Sequence, residues 1–482
     1  MKLKTISLIS LLVMSGCLTR NVYVDYPVSP PLQFKYQQNP RIAIGSKAVY
    51  QFDWWKKWGD TNLSNLINTA LSNNLDYRQL LSRIKESRDL LRIRATQSWP
   101  LIGVNAQSGR QKIMLPQPSE YFARQQGFGI KWEMDLFGAK KSNERSAYEK
   151  YLSLTNQKRV SQLLLSTEIA KTYVHLLSLF NKDKIILEMI NWQKKAALFS
   201  EKLWHMGLLD LVDKNKIFSS YINLETKKYE IIKAINIYTI KLAVLLGKNP
   251  EDFIFDSSNF DHISLDDLLA KAPIPRSPLP IDVLNKRWDV AVQYHILKSA
   301  MHELGAAQAS LYPQITFGYD INEQKVELFG QNISGSIYNL GFSLSIPFFA
   351  EPLKGMVQAK RDAVKRQEEK YKDTIIRALS EIERYYVEIQ TSTREKQLQT
   401  ISFRNTAKNT MKLNEEYESG EANYLQLAQA KGEELKEKTS LEDTKEQQLD
   451  NTIELYKSMG GYWTVESATT PKTAGDPALR KS

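Results

Sequence analysis

With 482 residues, 42% hydrophobic and 25% charged, the chain has the composition of a folded protein of one large or two medium domains. Lys and Arg outnumber Asp and Glu by 65 to 54, but the +11 balance is scattered through mixed-sign runs such as "EELKEKTSLEDTKEQQ", as on solvated helix faces. No basic stripe is interleaved with aromatics, which excludes a nucleic-acid binder. One cysteine in the whole chain excludes a disulfide framework.

Lys2 and Lys4 precede an apolar stretch from Ile6 to Val13, followed by Met14, Ser15, Gly16 and Cys17. A charged start, a short apolar core and small residues at the cut predict a secretory signal over residues 1–16. The stretch is far shorter than the roughly 20 residues of a spanning helix. Cys17 stands at the cut, and the pattern resembles the lipobox of bacterial lipoproteins, with Met14 where leucine is usual. That resemblance implies a diacylglycerol and an N-acyl chain on Cys17, each buried methylene adding about 0.8 kcal/mol of membrane attachment. The alternative is an incidental thiol in an ordinary signal peptide. Leu18 follows, not the Asp that resembles an inner-membrane retention signal, so outer-membrane delivery is expected. No later segment reads as a transmembrane helix, and any spanning must be done by strands.

After a lipidated N-terminal segment (17–60), the chain repeats itself. Pro100 and Pro313, Gly129 and Gly341, and Gly207 and Gly420 lie in matching contexts 213, 212 and 213 residues apart. A near-constant offset points to internal duplication of a large unit, too long for a solenoid repeat. Repeat 1 is placed at 61–255, a linker and equatorial segment at 256–285, repeat 2 at 286–463 and a tail at 464–482.

Each copy opens with a helix and a β-hairpin, at 99–137 and 312–349. Phe128, Ile130, Trp132, Met134 and Leu136 alternate with polar residues or glycine, as do Phe342, Leu344 and Ile346. Strands are expected at 99–115, 121–137, 312–328 and 337–349, with turns at "LPQPSE" and "FGQNISGS". This is the weak signature of transmembrane β-hairpins, and a soluble hairpin with one wet face is the alternative. Four strands cannot close a barrel, and open edges are not tolerated in lipid. If the strands span a membrane, several chains must share one barrel.

Behind each hairpin lies a long helix-permissive stretch. No proline occurs between Pro118 and Pro250 or between Pro352 and Pro471, and Gly207 is the only glycine between Gly138 and Gly247. Proline costs about 3 kcal/mol in a helix interior and glycine about 1. A continuous helix from Gly138 to Gly207 would be roughly 100 Å long. Leu163, Thr167, Ala170, Val174 and Leu177 follow 4-3-4-3 spacing, as do Ile375, Leu379, Ile382, Tyr386 and Ile389. Gly207 and Gly420 are expected at the tips of two helical hairpins.

Catalytic chemistry finds no footing. His175, His205, His262, His295 and His302 lack metal-ligand spacing, and neither a phosphate-cradling glycine loop nor a nucleophile elbow is present. No enzyme activity and no cofactor are expected beyond the lipid on Cys17.

Several stretches carry a family resemblance through their order and spacing: "WWKKWGDTNLSNLINTALSNNLDYRQLLSRI", "SWPLIGV" with "WEMDLFG", "LPIDVLNKRWDVAVQYHILKSAMHELGAAQASLYPQITF", "YESGEANYLQLAQAKGEEL" and "LYKSMGGYW". Together they resemble TolC-type outer-membrane factors, of the NodT-type lipoprotein subgroup that serves tripartite efflux pumps. Trp288 departs from the family's Arg-Pro-Asp triplet, while Arg287 and Asp289 remain.

The resemblance implies a mixed α and β fold with two internal repeats. Three chains share a transmembrane β-barrel, four strands each, which continues into a long periplasmic α-helical barrel. Residues 39–60 and 250–285, with the C-terminal tail, form an equatorial domain. It also implies a passive exit duct for efflux or type I secretion. Its partners are two further copies, a periplasmic adaptor, an inner-membrane pump and outer-membrane lipids. By the same resemblance Asp210, Asp213, Gln426 and Gln429 surround a periplasmic gate. Asp210 and Asp213 read equally as helix-capping and first-turn residues. Gly207, Leu208, Tyr417 and Gly420 meet the adaptor. A periplasmic coiled-coil adaptor or scaffold lipoprotein without a pore is the competing reading.

Overall fold

Asp60 caps the first α-helix among the described residues. Its Oδ1 accepts from the N–H groups of Asn62 and Leu63 at 2.9 and 3.1 Å, a cap contributing about 1 kcal/mol. The structure is a computed structural model describing residues 31–36, 53–113, 119–260, 262–272, 280–328 and 331–460. The expected signal peptide, Cys17 and the tail at 464–482 lie outside the described residues.

A 3₁₀ turn at Trp54–Trp58 leads into α1 (Thr61–Asn73) and α2 (Leu75–Thr96). Strands β1 (Leu101–Ile113) and β2 (Ser119–Met134) precede the long α3 (Ala139–His205) and α4 (Leu211–Leu245). Short helices α5 (Leu265–Lys271) and α6 (Pro280–Lys286) follow. The order then recurs as α7 (Trp288–Ala309), β3 (Gln314–Leu328), β4 (Gln331–Ser345), α8 (Glu351–Glu418) and α9 (Tyr424–Ser458). Corresponding helices match in length: 22 residues in α2 and α7, 67 in α3 against 68 in α8, and 35 in both α4 and α9. The duplication is therefore visible in backbone as well as in sequence.

Contacts divide the chain into two units. One takes Ser82–Asn156 and Val292–Thr374 (its remaining stretch, Met1–Ser29, lies outside the described residues), and the other takes Pro30–Leu81, Gln157–Ala291 and Ile375–Ser482. The second unit holds the main apolar core. Trp54, Trp58, Leu63 and Ile67 pack with Ile169, Ala170, Tyr173 and Leu177 of α3, Leu242 of α4, and Leu265 and Leu268 of α5. Thr167, Ala170, Val174, Leu177, Ile375, Ile382 and Ile389 are buried, so both heptad-like stripes face inward.

The first unit holds one antiparallel sheet in the order β1-β2-β3-β4, with β1 and β4 at its edges. Its register aligns the alternating apolar residues into rows: Val104–Phe128–Ile321–Tyr338, Ile102–Ile130–Tyr319–Leu340, Trp132–Phe317–Phe342 and Met134–Ile315–Leu344. These four rows occupy roughly 20 Å of strand on one face. The next rows on that face turn polar, as Ala106–Gln126–Glu323–Ser336 and Ser108–Arg124–Lys325–Ser334. Aromatic groups gather at the foot of the band: the Trp132 indole donates to the Ser98 carbonyl at 2.9 Å, and Phe137 stacks on Tyr312 at 4.8 Å.

One expectation is corrected here. Strand β4 starts at Gln331, not 337, and "QNISGS" continues the ladder opposite Glu323–Leu328. Ladder hydrogen bonds join backbone groups and do not require apolar side chains. These polar residues lie beyond the apolar band, where water can face them.

Candidate functional site

The two hairpin tips are built alike at the backbone. Gly207 and Gly420 have φ of 72° and 85°, the left-handed conformation that ends a helix. At the first tip the N–H groups of Gly207 and Leu208 donate to the carbonyls of Trp204 and Leu203, both at 2.9 Å. At the second, Gly420 and Glu421 donate to Tyr417 and Glu416 at 3.1 and 2.8 Å. A Cβ on either glycine would meet nothing within 4 Å, so conformation and not space demands glycine there.

Chemically the tips differ. The first exposes Met206, Leu208, Leu211 and Val212, while the second carries Glu415, Glu416, Glu418 and Glu421 within seven residues. Tyr417 is exposed, and its ring stands 6.0 Å from Tyr424. Tyr424 stacks on Trp192 at 5.9 Å and meets Phe199 edge-on at 5.9 Å. The start of α9 is thereby seated on α3, a contact between the two copies that spacing did not reveal. The only signal for it was a few aromatics in otherwise charged helices.

The four gate candidates all sit in the first turns after the tips. Asp210 caps α4, its Oδ1 accepting from the N–H of Asp213 at 2.9 Å, and that bond holds its carboxyl below the usual range. Asp213 accepts from the Lys216 ammonium at 3.0 Å. Gln426 completes a capping box: its Oε1 accepts from the N–H of Asn423, and its own N–H donates to Asn423 Oδ1, both at 2.9 Å. Gln429 donates to Glu433 at 3.2 Å. Each candidate thus serves its own helix; for Asp210 this is the capping role read from the sequence.

Away from the tips, a charged seam joins α3 to α9. His175 Nδ1 meets Glu446, its Nε2 lies 3.1 Å from Asp450, and Lys182 reaches Glu446 at 2.8 Å and Asp443 at 2.5 Å. Burial opposes protonation of His175, but hydrogen bonds and charge from Asp450 and Glu446 outweigh it and hold the imidazole up to about 9. Burial likewise opposes ionisation of Glu446, but His175 and Lys182 bring it down to about 2. These ion pairs clamp α3 to α9; among the described residues no group of three or more His, Cys, Asp or Glu could hold a metal.

A second clamp explains how the chain tolerates Trp288. Arg287 is buried and forks onto Asp289 at 3.0 and 2.5 Å. It also donates to Glu381 at 2.9 Å and to the Ser458 carbonyl at 2.6 Å. The ion pairing that the Arg and Asp of the triplet provide is complete without proline between them.

With this geometry in place, the chain can be compared with known proteins. Residues 279–461 match the family model described as outer membrane efflux protein. The solvent efflux pump outer membrane protein SrpC of Pseudomonas putida is 24% identical, covering 96% of this chain and 99% of its own. The probable outer membrane lipoprotein SilC of Salmonella typhimurium is 22% identical, over 96% and 99% of the two chains. The fold is similar to that of the Campylobacter jejuni CmeC outer membrane channel, with a TM-score of 0.79, 16% identity and coverage of 95% and 96%.

Proposed function

This chain belongs to the outer membrane efflux protein family, and on that premise we propose that three copies form one passive exit duct through the outer membrane and periplasm. The observation that carries the reading is the sheet. It has a lipid-compatible face in register across all four strands and an open edge on each side. Such edges are satisfied in lipid only by closure; three sheets make a twelve-stranded wall with none left open. No helix among the described residues is long and apolar enough to cross a membrane.

The finer assignments belong to the same proposal. Cys17 would carry the lipid anchor, a reading supported by likeness to a probable outer membrane lipoprotein. Asp210, Asp213, Gln426 and Gln429 would line the periplasmic constriction, threefold symmetry turning each into a ring. The rings would be carboxylate in one copy and amide in the other. Gly207, Leu208, Tyr417 and Gly420 would meet the adaptor's helical tips. An adaptor reading is disfavoured because the described residues contain one sheet only, and it is a wall with open edges, not a compact β-domain.

Single-channel conductance in planar bilayers tests the duct, using a variant opened at the tips. A correctly folded, tip-opened assembly that carries no current would refute it. For the tips, Gly207→Arg and Gly420→Arg should abolish efflux while the outer-membrane level stays unchanged. Normal efflux in both variants would sink the docking assignment.

A further inference from the structure

The sheet face opposite the apolar band carries three charged residues among the described ones: Glu133, Lys131 and Asp320. Glu133 lies at the foot of β2 and pairs with Lys140 at 3.5 Å. Lys131 is exposed, on a long flexible stem. Asp320 is held quite differently. Its Oδ2 accepts from Asn322 Nδ2 at 2.7 Å and from Asn339 Nδ2 at 2.9 Å. Asn322 Oδ1 accepts in turn from Asn105 Nδ2 at 3.2 Å.

This belt joins β1, β3 and β4, and it crosses β2 over a glycine. A Cβ on Gly127 would lie 2.0 Å from Asn322 Oδ1, so any other residue there would push the buried Asn322 aside. The strand between has been kept bare, and the amide groups lie across it to pin one carboxylate. A rigid, hydrogen-bonded carboxylate on the polar face of a barrel wall has a direct physical use. Rings of carboxylates at close quarters favour cations over anions.

We propose that Asp320, positioned by Asn105, Asn322 and Asn339, biases the outer-membrane throat of the duct toward cations. The inference rests on the three-copy duct reading, which turns one Asp320 into a ring of three. Lys131 opposes it only weakly. It pairs with Gly318, two residues before Asp320, and an exposed ammonium on a flexible stem is screened by water and salt. Its ammonium can swing along the axis, whereas the carboxylate cannot. Asp210 and Asp213, which the duct reading places in carboxylate rings of their own, are the same in wild type and in D320N, so the difference between the two reports Asp320 alone.

The test is the reversal potential of the full-length, tip-opened protein in planar bilayers across a potassium chloride gradient. The cation-to-anion permeability ratio should fall about twofold or more in D320N and rise in K131Q. G127A, which displaces Asn322 and changes no charge, should lower the ratio part of the way. Equal ratios in conducting wild type and D320N would overturn the inference and leave the duct standing. If wild type itself never conducts, the duct reading fails and takes this inference with it.

Discussion

At Gly207 and Gly420 a single dihedral angle decides whether a hairpin turns. Both have open space around the missing Cβ, so alanine would introduce no clash, only the cost of the left-handed conformation, about 1–2 kcal/mol. G207A and G420A should therefore lower thermal stability by that amount locally, read as faster amide exchange near the tip; unchanged exchange would show that conformation is not what selects glycine. Tyr173 makes a different kind of point. Its hydroxyl donates to Asp60 Oδ2 at 2.6 Å inside the main core, and burial followed by that bond pushes the phenol far above its usual range. Y173F should cost about 1–2 kcal/mol in thermal unfolding, because it leaves one oxygen of a buried carboxylate without that donor. Neither Asp60 nor Tyr173 was legible as a partner from the sequence, since 113 residues separate them.

Among the elements, α3 and α9 are joined by a clamp with a defined pH window. The folded value of His175, about 9, lies above its ordinary 6.5, so its contribution is full below pH 6.5 and is lost as pH rises through 9. That of Glu446, about 2, lies below its ordinary 4.5, so its contribution is full above pH 4.5 and is lost as pH falls through 2. Thermal melts of wild type against H175Q should thus differ by a constant gap between pH 4.5 and 6.5. The gap should close by about pH 10; a gap persisting there would show that the ion pairs do not hold these helices. The helices themselves were readable because long runs without proline or glycine have few alternatives to helix. The start of β4 was not, since polar side chains imitate a turn while their backbone still pairs.

For the whole molecule, the open edges of β1 and β4 set the prediction. Detergent-solubilised protein should have the protein mass of three chains by light scattering, and E446Q or H175Q should leave that mass unchanged because their contacts lie within one chain. A stable monomer with both edges free would contradict the shared barrel. Duplication gives such an assembly six near-equivalent hairpins from three chains. The copies have diverged at their tips, with apolar side chains at one and four glutamates at the other.

By itself the sequence determined the repeat, the helix and strand textures and the absence of a catalytic constellation, because these rest on local periodicity, on turn residues and on the rarity of proline and glycine. Through resemblance it also pointed to the outer-membrane factors. Only the tertiary structure decided which residues touch: Tyr424 on Trp192, His175 between Glu446 and Asp450, and Asn322 lying over Gly127 to hold Asp320. The physical reason is range. A periodic pattern is read within a few turns of chain, whereas these contacts join residues separated by as many as 275 positions, and no local preference encodes which distant partner will be met.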